Sequence, residues 1–79
     1  MVRNPDFKKI TTRLSALSHR EQQVTTLAYD GLSNKMIARK LGVSEGTVKI
    51  HLYVIYKKLD VRSRAELLIH FGTSQQVAV

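Results

Sequence analysis

Seventy-nine residues make one small domain, and at that size nearly every aliphatic side chain is needed for packing. With 43% hydrophobic residues the chain is not compositionally disordered; its apolar runs fall far short of the ~20 residues of a membrane span, and the lack of cysteine excludes disulfides and thiolate metal sites. Thirteen Lys and Arg against six Asp and Glu leave a formal charge of +7, concentrated in residues 33–64, where Lys35, Arg39, Lys40, Lys49, Lys57, Lys58, Arg62 and Arg64 face only Glu45 and Asp60, so a polyanion is the natural partner.

Residues 1–13, with Pro5 and scattered charges, read as an N-terminal arm or linker. Arg3, Asp6, Lys8 and Lys9 interrupt any signal-peptide pattern there, so a cytoplasmic location is expected. Ser18-His19-Arg20-Glu21 is a capping box: hydroxyl and carboxylate can each satisfy a backbone amide that a helix start leaves unpaired. It predicts a first helix from Ser18, with Val24, Leu27 and Ala28 as its buried stripe and Gly31 as its end. Ser33 can cap a second helix, in which Ile37, Ala38 and Leu41 recur at helical spacing and which Gly42 terminates.

Ser44 can cap a third helix that runs to about Leu59, and its two faces differ sharply. With Val48 as origin and ~100° per residue, Leu52, Ile55 and Leu59 fall within about 40° of it and form a core stripe. Gly46, Lys49, Ile50, Tyr53 and Lys57 fall roughly 100° to 200° away by the same stepping, on a face with no reason to be buried. His51 lies near the edge of the stripe, where a structural or phosphate-contacting imidazole is expected rather than a metal ligand. Tyr56, beside the stripe, is expected to pack.

Asp60-Val61-Arg62 breaks the pattern, and Ser63-Arg64-Ala65-Glu66 is a second capping box opening a fourth helix through Leu67, Leu68, Ile69 and Phe71. Gly72 is placed to stop it, leaving residues 73–79 as a mobile tail. The fourth helix holds more apolar residues than one narrow inward stripe requires, so its outer part, with Leu68, is expected to form a two-fold contact between copies. These elements predict an all-α fold: a small four-helix domain over residues 14–72, containing a helix-turn-helix. That motif places a basic second helix after a glycine corner, the arrangement of a DNA reader.

No cysteine nucleophile, paired histidines at metal spacing or phosphate-binding glycine loop is present, so neither catalysis, a cofactor nor a metal is expected.

The residues resemble the LuxR-type (GerE-type) DNA-binding domain of bacterial transcription regulators. The resemblance covers Leu17 to about Phe71 and is carried by Leu17-Ser18-His19-Arg20-Glu21, Gly31-Leu32-Ser33-Asn34-Lys35, Ile37-Ala38, Leu41-Gly42-Val43-Ser44, Thr47-Val48-Lys49 with His51, Ile55-Tyr56-Lys57-Lys58-Leu59, and Val61-Arg62-Ser63-Arg64. It implies a domain that binds double-stranded DNA as a homodimer through its fourth helix and regulates transcription. It also implies control by an N-terminal receiver or sensor domain outside this chain, and RNA polymerase as a further partner.

Carried across residue by residue, the resemblance makes Lys49, Ile50 and Tyr53 the base-contacting set, the same face that the helical stepping turns away from the core. Lysine can donate to guanine acceptors, Ile50 can meet a thymine methyl, and Tyr53 can hydrogen-bond or pack against a sugar. Asn34, Lys35, Arg39, Lys40, Thr47 and Lys57 are assigned to the DNA backbone, and Leu67, Leu68 and Phe71 to the dimer contact. His19 stands where the family usually has proline and Thr25 where an aliphatic residue is common. Tyr53 and Val54 replace residues that are often polar or basic, so a known sequence preference does not transfer. Region four of bacterial sigma factors shares the helix-turn-helix and is the alternative reading; the segment from Ile55 to Arg64 followed by another helix favours the LuxR-type domain. A second alternative is a protein-interaction module that kept the fold and docks an acidic partner.

Overall fold

The computed structural model describes the backbone of residues 16–77 and the side chains of residues 16–72. The N-terminal arm expected over residues 1–13 lies outside the described residues. Among those described there are four helices and no strand: α1 His19–Tyr29, α2 Asn34–Leu41, α3 Glu45–Leu59 and α4 Arg64–Val77.

Each start has a local chemical cause. Ser18 Oγ accepts the Glu21 amide at 3.1 Å while Glu21 Oε1 accepts the Ser18 amide at 2.9 Å, so the capping box of α1 is complete. Ser33 Oγ accepts from the Met36 amide and Ser44 Oγ from the Thr47 amide, capping α2 and α3. Ser63 Oγ accepts the Glu66 amide at 3.2 Å, the forward half of the box that opens α4. At the corner of the helix-turn-helix, Gly42 takes φ +71°, and Val43 N–H donates to the Ala38 carbonyl at 3.0 Å. The left-handed backbone there turns the chain within one residue, a conformation that costs any residue with a Cβ.

Gly72 does not stop α4, which continues to Val77, so the expected tail is helical over residues 73–77; 78–79 lie outside the described residues. The glycine instead gives clearance. A Cβ at Gly72 would sit 3.0 Å from the Tyr29 ring, which meets Phe71 edge-on with ring centroids 5.1 Å apart. Aromatic packing thus joins the end of α1 to α4.

The core is built from Leu17, Val24, Ala28, Ile37, Ala38, Val48, Leu52, Ile55, Leu59, Val61 and Leu67, all buried. Helix α3 runs through its middle and packs on the other three. Its stripe at 48, 52, 55 and 59 is the one expected, and burying each such side chain stabilises the fold by roughly 1.5–3 kcal/mol. Thr25, at a position expected to be aliphatic, is fully buried and its hydroxyl donates to the Glu21 carbonyl at 2.9 Å, which satisfies the polar atom inside α1. Tyr56 is half-buried against the core, as expected, and burial raises its phenol above the usual 10.0 against the opposing charge of Arg64.

Candidate nucleic-acid interface

Because Val48, Leu52, Ile55 and Leu59 anchor α3, the orientation of its other face is fixed. Lys49, Ile50, Tyr53 and Lys57 are exposed on it, Ile50 at 65% and Tyr53 at 59%. The structure brings the three residues expected to contact bases together on one helix face. Lys57 Nζ lies over the Tyr53 ring, 4.8 Å from its centroid. The neighbouring Tyr53 side chain raises the Lys57 ammonium above its ordinary 10.5.

Lys35, Arg39 and Lys40 are exposed on α2. Thr47 is half-buried, and its hydroxyl lies 2.9 Å from Ser44 Oγ as part of the α3 cap. Asn34, the first residue of α2, is half-buried, and its Oδ1 accepts from Arg64 Nη1 at 2.7 Å while Arg64 Nη2 donates to the Leu32 carbonyl. A guanidinium only donates, so it fixes the Asn34 carboxamide with oxygen toward Arg64 and its NH2 as the remaining donor. This clamp between α4 and the loop entering α2 was not foreseen; nothing local in the sequence signals a contact across thirty positions.

On α4 the structure corrects one expectation. Leu67, assigned to a contact between copies, is 0% exposed and fills the core instead. Leu68 and Phe71 are half-buried, Leu68 against the core and Phe71 against Tyr29. Among the described residues of α4 the large apolar side chain that points outward is Ile69, 66% exposed. Its direction follows once Leu67 is seen to point inward, since two residues beyond a core position is ~200° around the helix. Met36 on α2 is also exposed, at 52%.

Lys58, the remaining lysine of α3's last turn, serves the fold. Its Nζ is 2.8 Å from Glu21 Oε1, tying α3 to the start of α1. Burial pushes the Glu21 carboxyl up, but Lys58 and the Ser18 amide and hydroxyl together hold it below its ordinary 4.5. Among the described residues no group of three or more His, Cys, Asp or Glu could hold a metal, and a shallow groove between α1 and α2, lined by His19, Gln22, Thr26, Leu27 and Lys40 among others, includes none of the base-contacting candidates. No described helix is long and apolar enough to cross a membrane.

A helix pair with a glycine corner, its second helix seated on the core and showing a basic outer face, is a helix-turn-helix DNA-binding domain. The chain belongs to the luxR family of bacterial regulatory proteins (GerE), whose pattern matches residues 15–71. It is thus a DNA-binding domain of transcriptional regulators and not an enzyme. It is 38% identical over 69 residues to the HTH-type transcriptional regulator MalT of Vibrio campbellii (strain ATCC BAA-1116), covering 87% of this chain and 8% of MalT. To the nitrate/nitrite response regulator protein NarL of Escherichia coli (strain K12) it is 41% identical over 56 residues, 71% of this chain and 26% of NarL. Among solved structures, the response regulator StyR superposes with a TM-score of 0.78 at 44% identity, covering 84% of this chain and 33% of that one. Full-length FixJ from B. japonicum superposes with a TM-score of 0.79 at 31% identity, covering 90% and 35%. The chain therefore spans less than a third of the length of the curated relatives it matches.

Proposed function

We propose that the domain binds duplex DNA sequence-specifically with α3 in the major groove, Lys49, Ile50 and Tyr53 at the base edges, and Asn34, Lys35, Arg39, Lys40, Thr47 and Lys57 on the backbone. The observation that carries this is the opposition of faces on α3: the core stripe leaves Lys49, Ile50, Tyr53 and Lys57 outermost, and a protruding α-helix fits the major groove. The basic residues of α2 flank it and supply charge that orients without reading sequence. Two copies pair through α4, with Ile69 outermost and the half-buried Leu68 and Phe71 contributing their exposed edges, so that two reading helices are set about one DNA turn apart, ~34 Å. In the longer proteins to which such domains belong, a receiver or sensor domain controls this pairing, and RNA polymerase is the downstream partner; the response regulator StyR and the response regulator protein NarL, each of which this chain matches only in part, support the first of these.

The test is to select duplexes from a random-sequence pool with the 79-residue chain, then titrate the isotope-labelled chain with the selected duplex and a scrambled one across a range of salt. Salt dependence alone reports phosphate contact. Shifts centred on Lys49, Ile50 and Tyr53, with at least about tenfold preference for the selected duplex and a comparable loss on Lys49→Glu, support the reading. If no common sequence emerges and those residues do not shift, the basic face docks an acidic protein partner instead.

A further inference from the structure

Ile50, Tyr53 and Lys57 lie within about 60° of one another on α3 at ~100° per residue, so they form one strip rather than three separate contacts. Two of the strip's three members are large apolar side chains left mostly exposed. The third lays its ammonium over the ring of the second, 4.8 Å from the centroid. A cation over one face of the ring is attracted by its quadrupole and restricts the ring's excursions. Tyr53 therefore meets an incoming ligand in a partly fixed orientation, beside an aliphatic side chain.

Apolar surface gains little against the oxygen and nitrogen atoms that dominate base edges, which it would only strip of water. The major groove offers one apolar group, the C5-methyl of thymine. We propose that Ile50 and Tyr53 form a methyl-reading strip selecting thymine at two positions of each half-site, with Lys57 as a positioning residue that holds the Tyr53 ring; this rests on the DNA-reading assignment above. The lysine at 49 stands outside the strip, toward its flank, and reads independently of it.

The experiment replaces thymine by deoxyuridine, one position at a time, in the duplex selected by the chain. Uracil pairs as thymine does and lacks only the methyl. Affinity should fall about fourfold at each of two positions per half-site, the equivalent of one buried methyl-sized group. Ile50→Ser should abolish the sensitivity at one position and Tyr53→Ser at the other, while Tyr53→Phe, which keeps the ring, retains it. Lys57→Gln should weaken binding overall and shrink the sensitivity at the Tyr53 position only. Uniform affinity across the deoxyuridine series, or sensitivity that persists in Ile50→Ser and Tyr53→Ser, overturns the methyl reading while leaving sequence-specific binding intact. A Lys57→Gln variant that scales every position equally overturns the positioning role. Failure of the pool to yield a common sequence overturns the DNA-reading assignment itself, a result distinct from the others.

Discussion

Glu21 serves two structures with one carboxylate: it closes the cap of α1 through the Ser18 amide and pairs with Lys58 of α3 at 2.8 Å. Its acidity lies below the ordinary value of 4.5, so it stabilises the fold above the pH at which the unfolded chain's carboxyl titrates. That contribution should be complete above about pH 5.5, fade as pH falls from 4.5 through the folded value, and be absent below it. Glu21→Gln should cost about 1–2 kcal/mol at pH 7, a charge-assisted cap and a pair screened at its lysine end, and should flatten the acid limb of stability. Chemical denaturation across the acid range checks both, since the difference between wild type and variant should be full at pH 7 and shrink progressively as the pH falls below 4.5. The capping half of this role was legible in Ser18-His19-Arg20-Glu21, because it depends on residues three apart. The Lys58 half was not, because it joins residues separated by 37 positions.

At the scale of the element, the corner at Gly42 fixes how α3 leaves α2. A Cβ there would meet nothing within 4 Å, so the demand is purely one of backbone conformation. Gly42→Ala should destabilise the domain by about 1 kcal/mol from the left-handed backbone alone, without changing which residues are buried. Urea denaturation should show a lowered midpoint at unchanged slope; a slope change would mean that the corner does more than turn the chain. Helix boundaries were read closely wherever a serine cap or a left-handed glycine made them, at Ser18, Ser33, Ser44 and Gly42. Gly72 misled because a glycine can serve clearance as well as termination, and only the Tyr29 ring, 43 positions earlier, distinguishes the two. Leu67 misled for a related reason: four apolar residues in α4 left its phase open, and packing on the core against α1 and α3 chose 67 as the inward one. On α3 no such ambiguity existed, since a clean core stripe at 48, 52, 55 and 59 fixed the outward face by elimination.

For the molecule as a whole, the described outward faces differ in chemistry: a basic one on α2 and α3, and one on α4 from which the apolar side chain of Ile69 projects. Substituting Ile69, which is exposed, tests pairing without opening the core, as a substitution at Leu67 or Leu68 would do. Ile69→Arg should leave the folded state within about 0.5 kcal/mol of wild type. It should also weaken binding to a duplex with two half-sites at least tenfold more than binding to a single half-site, measured by titration at fixed salt; equal losses on both duplexes would count against pairing through α4. A contact this small gives little surplus over the cost of association, so pairing in the absence of DNA is expected to be weak.

Arg64 sits where these two surfaces meet. Rooted in the first turn of α4, it grips both Asn34 and the Leu32 carbonyl at the mouth of α2. The base of one helix and the entrance of the other are therefore tied by one side chain. If copies pair through α4 and a phosphate is held at α2 as proposed, any coupling that this contact carries acts equally in both directions by thermodynamic reciprocity.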